Sequence, residues 1–363
     1  MVKIGTHSGT FHCDEAFGCY LLRQLPEYKD AEIVRSRDPA VLDECDVVID
    51  VGGVYDPARF RFDHHQRSFA ETFGHGFSTR LSSAGLVYKH FGRRIVASLA
   101  GVPADGADAE TLYLAAYERF VEELDAVDNG IDQFAIAEDA ERGDKAAAAL
   151  VPRYRVTTTL SARVGRLNPA WNAPDQSAEA LRRGFLAASE LAGREFAERV
   201  RDLATVWLPG RALVAAAMAK RFEVEPRGRI VRLDAFCPWK DHLHRLEAEE
   251  TAKRAETGID RPLHPILYVL YEDSREKTWR VQAVAEAPES FVSRRPLPDA
   301  WRGLRDAALD DAAGVQGAVF VHASGFIGGA KTYETALQLA QKSLQIADEQ
   351  ERDNNATDAE KNE

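Results

Sequence analysis

Cysteine is scarce in this 363-residue chain: Cys13, Cys19, Cys45 and Cys237 are the full complement, and no two of them form a Cys-x-x-Cys pair. That excludes a disulfide framework of the small secreted kind and points to a reducing compartment. Basic charge is short as well, with 46 Lys plus Arg against 58 Asp plus Glu and a formal net charge of -12. A surface built to coat a polyanion carries the opposite balance, so generic nucleic-acid coating is excluded, although a local basic groove or bound metal ions are not. Long apolar runs are also missing, since none approaches the roughly 20 residues that cross a bilayer. The chain enters the strand-like run Val2-Lys3-Ile4-Gly5 too early for a signal peptide, so a cytoplasmic or nuclear protein with no membrane partner is expected. What is present is apolar surface, 45% of the residues, enough over this length for two cores.

The first half alternates strand and helix patterns. Residues 2–6, 31–35 and 45–51 read as strands, the last a continuous apolar run of the kind buried on both faces. Between and after them, Ala16, Cys19, Tyr20, Leu22 and Leu25 recur at helical spacing up to Pro26, and residues 82–91 and 110–127 read as helices, the last stopped by Asp128-Asn129-Gly130. The expected class is α/β: a doubly wound, mostly parallel sheet with a second, smaller α+β domain. Strand-like runs return at 230–233, 265–271, 279–284 and 318–322, followed by a helix over 333–346. The expected division is 1–172 for a metal-binding catalytic domain, 173–226 for a helical linker broken at Pro209-Gly210, and 227–346 for a substrate-binding α+β domain. Residues 135–150 and 247–260 read as mobile or partly helical surface excursions without an apolar face, and 347–363 as a disordered acidic tail.

In an open α/β sheet, ligands sit outside the carboxyl ends of the strands. Asp63-His64-His65 follows the alternating run Phe60-Arg61-Phe62 at such a position, His7 follows the first strand, with His12 and Asp14 close behind, and Asp50 ends the third. With Asp128 these make three His and three Asp (His7, His12, Asp14, Asp50, His64, Asp128), a donor set suited to hard octahedral ions such as Mn²⁺ or Mg²⁺ rather than to one tetrahedral zinc. Two such ions about 3.5–4 Å apart can share a hydroxide and clamp a phosphoryl group, with Asp50 as the bridging carboxylate. Asp63 then accepts the remaining ring N–H of a ligand histidine. Each position also has a plain structural explanation. His7 is a strand end; Asp14 and Glu15 are first-turn acids favoured by the helix dipole; Asp50 caps the next turn; and Asp128 belongs to an Asp-Asn-Gly turn, with Asp125 the ligand instead. All of these holding together would be a coincidence, whereas one metal site accounts for the set.

Longer stretches carry a family resemblance. Gly5-Thr6-His7-Ser8-Gly9-Thr10-Phe11-His12-Cys13-Asp14-Glu15-Ala16, Val48-Ile49-Asp50-Val51-Gly52-Gly53 and Asp63-His64-His65-Gln66-Arg67-Ser68-Phe69 resemble the Myg family (melanocyte proliferating gene one). So do Leu81-Ser82-Ser83-Ala84-Gly85-Leu86, Asp125-Ala126-Val127-Asp128-Asn129-Gly130, Trp301-Arg302-Gly303-Leu304-Arg305 and the run from Val321 to Gly329. That family is similar to the wider DHH phosphoesterases, which implies a two-domain hydrolase with a dimanganese centre and 3′-to-5′ exonuclease action on single-stranded RNA or oligonucleotides. The resemblance assigns His7 and His12 to one ion, Asp14, His64 and Asp128 to the other, Asp50 to both, and His65 to a phosphate oxygen. The chain departs from the wider superfamily at His12, where an Asp is usual.

For substrate binding, His322-Ala323-Ser324-Gly325 and Gly328-Gly329-Ala330-Lys331-Thr332 read as a Gly-rich loop ahead of a helix, where bare N–H groups hold a phosphate. A plain turn explains the same residues. Arg67 joins these candidates, and Arg153, Arg155, Arg163 and Arg166 form either a basic track for RNA or a solvated face. Trp171, Trp239 and Trp301 are base-stacking candidates, with core packing the commoner use of such residues. The alternatives to an exonuclease are a small-molecule phosphatase or pyrophosphatase and a non-catalytic, metal-stabilised interaction protein. Homo-oligomerisation is left open.

Overall fold

The computed structural model describes residues 1–133, 156–257 and 263–361. The chain divides into two compact units, Met1–Thr205 and Val206–Glu363.

The apolar runs of the first unit form a five-stranded sheet. In chain order its elements are β1 (Lys3–Thr6), α1 (Cys13–Arg23), β2 (Glu32–Arg35), α2 (Pro39–Asp43), β3 (Val47–Ile49), β4 (Tyr55–Asp56), β5 (Arg61–Phe62), β6 (Thr72–Gly74), β7 (Phe77–Arg80), α3 (Ser83–Ala100), α4 (Ala107–Ala116), α5 (Glu122–Asp128), α6 (Leu160–Gly165) and α7 (Ala178–Asp202). The strand order is β2-β1-β3-β5-β4, with β1, β2, β3 and β5 parallel and the edge strand β4 antiparallel. From β1 the chain winds one way to β2 and then returns to β3 on the other side. The carboxyl ends of β1 and β3 therefore flank a switch point, the usual place for a ligand crevice.

Neighbouring residues of β3 point to opposite faces. Val48 clusters with Leu42 of α2 and with Cys45, whereas Ile49 faces Gly18 of α1. α1 in turn packs against α3 and α7. The apolar stripe of α7 is buried there, with Phe196 edge-on to Phe17 and Phe185 edge-on to Phe11. The segment expected as a linker is thus divided: α7 belongs to the first unit's core, and the residues after 205 belong to the second unit. A hairpin, β6–β7, turns on His75 and Gly76, both at positive φ. Between α4 and α5 the helix expected over 110–127 opens into a π-helical turn, Tyr117–Val121. The excursion at 135–150, together with Arg153 and Arg155, lies outside the described residues.

The second unit contains α8 (Leu208–Ala219), α9 (Arg221–Val224), β8 (Ile230–Arg232), α10 (Trp239–Glu256), β9 (Tyr268–Glu272), β10 (Trp279–Ala283), α11 (Asp306–Ala313), β11 (Ala318–Val321), β12 (Ile327–Ala330) and α12 (Tyr333–Lys361). Its sheet runs β11-β12-β10-β9-β8, antiparallel except for the β8–β9 pair. Alternation along β9 fills two cores. Tyr268 and Leu270 join Trp301, Leu309 and Leu339 on the side of α11 and α12, and Val269 and Tyr271 join Val214, Trp239 and Leu243 on the side of α8 and α10. Pro209 and Gly210 lie within α8, which follows directly on the π-helical turn Leu203–Trp207, so the helix does not break at Pro209-Gly210 as expected.

Two expected loose segments are anchored here. Within α10, Glu247 accepts the Ile266 N–H at 2.8 Å and pairs with Arg294 at 2.8 Å, so residues 247–256 take the helical form and are tied down rather than mobile. The acidic residues after Ile346 continue α12 to Lys361, with Ala347 buried and Asp348 paired to Arg229 at 2.8 Å. Composition alone could not show that pairing.

Candidate metal centre

Six segments converge at the carboxyl edge of the first sheet. β1 delivers His7, β3 delivers Asp50, and β5 delivers Asp63 and His64. The N-terminus of α1 adds His12, Asp14 and Glu15, the N-terminus of α3 adds Ser82 to Ala84, and the last residue of α5 is Asp128. Asp50 leaves the strand in the left-handed region at φ 60°, a conformation that Asp tolerates better than most residues, and Gly52 and Gly53 continue at φ 97° and 68°. Its N–H still donates to Phe62 O at 3.0 Å, so the strand register is kept while the carboxylate turns into the crevice.

That carboxylate lies between two histidines. Asp50 Oδ2 is 3.5 Å from His7 Nε2, and Asp50 Oδ1 is 3.5 Å from His64 Nε2. Around it, three overlapping groups bring ligand atoms within 4.8 Å of one another: His7, His12, Glu15 and Asp50; Asp50, His64 and His65; and Asp14, His64 and Asp128. His64 Nε2 is also 3.2 Å from Asp128 Oδ2, and His7 Nε2 is 3.0 Å from Glu15 Oε1. Asp14 is held from behind by the first amides of α3, with Ala84 N donating to Oδ1 at 2.6 Å and Ser83 N to Oδ2 at 3.2 Å. Ser83 Oγ donates to Asp50 Oδ1 at 3.2 Å, so one serine touches two acids of the cluster.

Residues 3–344 match a family model described as "Uncharacterised protein family (UPF0160)" and labelled as the MYG1 exonuclease family. The chain belongs to the MYG1 family. It is 53% identical to the protein named "MYG1 exonuclease" of Homo sapiens over 348 residues, covering 94% of this chain and 85% of the human protein. It is 44% identical to "MYG1 protein C27H6.8" of Caenorhabditis elegans, covering 95% and 96% of the two chains, and 44% identical to "MYG1 protein YER156C" of Saccharomyces cerevisiae, covering 94% and 95%. No solved structure matches the chain.

In this MYG1-family chain the donor set fits a cation. His64 Nε2 is buried without a hydrogen-bond partner, although two carboxylates face it. Burial, together with the charges of Asp128 and Asp50, pushes the Asp14 carboxyl well above its ordinary range. Burial also raises Asp128, with Asp50 adding to the effect and His64 opposing it. Burial works against a charged Asp50 too, but His64 and His7 on either side hold its carboxyl far down. Burial likewise opposes protonation of His7, yet Asp50 and Glu15 outweigh it and raise the imidazole to about 10. Crowded acids sharing buried imidazoles are the arrangement that a bound cation relieves. Among the described residues no helix is long and apolar enough to cross a membrane.

All six ligand candidates from the sequence fall within this cluster, and of Asp128 and Asp125 only Asp128 is among the grouped atoms. Asp125 is fully buried, takes the Ser82 N–H at 2.9 Å and the Tyr117 hydroxyl at 2.9 Å, and is not among the grouped ligand atoms. Glu15 stands among the grouped ligand atoms although the sequence does not single it out as a candidate. Its carboxylate accepts the His12 N–H at 3.1 Å, the ordinary task of an acid in a helix's first turn, and that task hid its contact with His7. Asp63 meets a ring nitrogen of His65. It accepts from Gly53 N at 2.5 Å and from His65 N and Nδ1 at 3.1 and 2.7 Å, so the ring it orients is the exposed His65 and not His64.

A cleft of about 620 Å³ opens on the cluster, lined by His12, Asp14, Asp50, His64, His65 and Asp128 together with Arg67 and Arg80. Arg67 therefore lines the same cleft as the ligand candidates. Arg163 does not line the cleft, because it pairs with Glu195 of α7 at 2.7 Å, and Arg166 donates to Thr157 O at 2.6 Å. His322, Ser324, Gly325, Gly328, Gly329 and Lys331 belong to the second unit. There, Ser324 Oγ lies 3.0 Å from His322 Nδ1 in a turn with Gly325 at φ 73°. Gly328 and Gly329, however, lie inside β12, paired to β10 and β11, and not in a loop. A Cβ on Gly329 would stand 2.5 Å from the Phe320 ring, and one on Gly328 would stand 3.1 Å from Leu297, so these glycines serve packing. Trp239 and Trp301 are core residues, and Trp171 is 92% exposed.

Proposed function

We propose that this chain is a divalent-cation-dependent phosphodiesterase of the DHH type that removes nucleotides from the 3′ end of single-stranded RNA, with a pair of Mn²⁺ ions as cofactor. The observation that carries this reading is the placement of Asp50, one carboxylate oxygen toward His7 and the other toward His64. His7, His12, Glu15 and Asp50 would hold one ion, and Asp14, His64, Asp128 and Asp50 the other. When bound, the cations supply Lewis-acid activation of water and neutralise charge at the phosphoryl oxygens. The chain's own residues do the positioning. Asp63 accepts from His65 Nδ1 and leaves Nε2 as the atom that meets a phosphate oxygen, and the amides of Ser83 and Ala84 keep Asp14 in place. The name of the human relative, an exonuclease, supports a nuclease over a phosphatase. In the second unit, His322, Ser324, Gly325 and Lys331 remain the candidates for contact with the nucleotide chain.

The net charge of -12 favours a second reading, a phosphatase acting on small molecules. Incubating the Mn²⁺-loaded protein with a 5′-labelled oligoribonucleotide and, separately, with pyrophosphate separates the two. A ladder shortening one nucleotide at a time from the 3′ end is expected. Mn²⁺ binding with the oligoribonucleotide left intact contradicts the exonuclease.

A further inference from the structure

The cleft over the ligand cluster has two arginines in its walls, Arg67 and Arg80. They are held in different ways. Arg67 lies in the turn after the Asp63-His64-His65 triplet, and among the described residues its guanidinium has no hydrogen bond or ion pair. Arg80, the last residue of β7, is tied down through a neutral amide: its Nε donates to Asn129 Oδ1 at 2.7 Å. The amide itself cannot turn over, because Asn129 Nδ2 donates to Arg80 O at 3.0 Å and to Asp125 O at 2.9 Å. Asn129 directly follows Asp128, so the brace grows out of the same helix end that supplies a ligand.

Other arginines here are paired with acids: Arg163 with Glu195, Arg211 with Glu249 and Arg229 with Asp348, at 2.7 to 2.8 Å. Such pairing fixes a side chain and neutralises it together. An amide fixes the side chain without neutralising it. Among the described residues no carboxylate lies within ion-pair distance of Arg80, although Asp14, Asp50 and Asp128 line the same cleft. The result is a full positive charge with a planar fork, aimed in advance, on the wall of an otherwise acidic cleft. A phosphate group is the ligand chemistry that this fork suits, through paired N–H···O bonds.

We propose that Arg80 is a substrate-binding residue that pairs with a phosphate of the nucleic-acid chain, and that Asn129 aims it. This rests on the phosphodiesterase reading above. The test compares the parent with Arg80→Gln, Arg80→Lys and Asn129→Ser on a 5′-labelled single-stranded oligoribonucleotide over a range of salt concentrations, with metal content measured for each. Losing one charge-assisted bond made equally in the ground and transition states raises KM by about tenfold or more while kcat changes little, so Arg80→Gln shows that split. Its log KM against log salt slope also falls by about 0.7, one phosphate contact on a single strand. Arg80→Lys keeps the salt slope and shows a smaller rise in KM. Asn129→Ser, with the charge kept and the aim lost, does the same. Arg80→Gln with parental KM and salt slope at parental metal content overturns the assignment while leaving the phosphodiesterase intact. A parent that neither cleaves nor binds the oligonucleotide overturns both.

Discussion

Asp63 Oδ1 lies 2.7 Å from Nδ1 of His65, and this pair, not Asp63 with His64, is the hydrogen-bonded one within the triplet. The acid is buried and the imidazole is 62% exposed, so a fixed group presents a reachable one. Asp63→Asn retains one acceptor and places an amide N–H₂ against either the Gly53 N–H or the His65 ring. Cleavage is expected to fall by about 10- to 100-fold, the usual loss when a supporting hydrogen bond to a functional histidine is removed. Bound metal, measured by elemental analysis, stays at the parental level. Metal lost in proportion to activity would place Asp63 among the ligands instead.

Gly85 makes room for Asp125. A Cβ at position 85 would stand 2.2 Å from Asp125 Oδ1, in the first turn of α3, where the neighbouring amides hold Asp14. Gly85→Ala is expected to lose about 1–3 kcal/mol of stability, in spite of alanine's better helix propensity, through overpacking at a buried carboxylate. Urea unfolding read by circular dichroism measures it. A variant as stable as the parent would show that α3 can shift away.

Asp125 makes stability depend on pH. Burial is the main cause raising its carboxyl from 3.8 to about 7, and the Ser82 and Tyr117 bonds only partly oppose it. Because the folded pKa is raised, this group's contribution is fully present below about pH 4 and is lost as pH rises to about 7, amounting to at most about 4 kcal/mol. Asp125→Asn stays neutral throughout: its oxygen can take the Ser82 N–H and its N–H₂ can meet a reversed Tyr117 hydroxyl. The difference in unfolding free energy between Asp125→Asn and the parent should therefore grow in the mutant's favour from pH 4 to pH 7 and then level off. A difference that is flat across that range would contradict the shift.

Much of the candidate site is legible because each strand announces its own end. Val48-Ile49 runs into Asp50 and Phe62 into Asp63, so apolar residues stop where ligand-type residues begin, and the parallel order brings those ends together. What was not legible depends on partners distant in sequence. Glu15 carries the ordinary signature of a helix's first turn, and only the fold sets it against His7. Gly328 and Gly329 look like a flexible turn, because the Phe320 ring that requires them is not part of their own motif. Arg163 reads as a cation free for RNA until α7 places Glu195 beside it. Acidic residues after Ile346 suggest a tail, yet Asp348 finds Arg229, 119 residues away in the chain.

Metal stoichiometry of the parent and of Asp50→Asn, determined on the same preparations that are assayed on labelled oligoribonucleotide, tests the central claim most directly. The shared carboxylate predicts two divalent ions per parent chain, a fall in occupancy of both in Asp50→Asn, and cleavage lost with them and in the parent treated with chelator. Parental metal content in Asp50→Asn, or cleavage by the parent that survives complete metal removal, would contradict it.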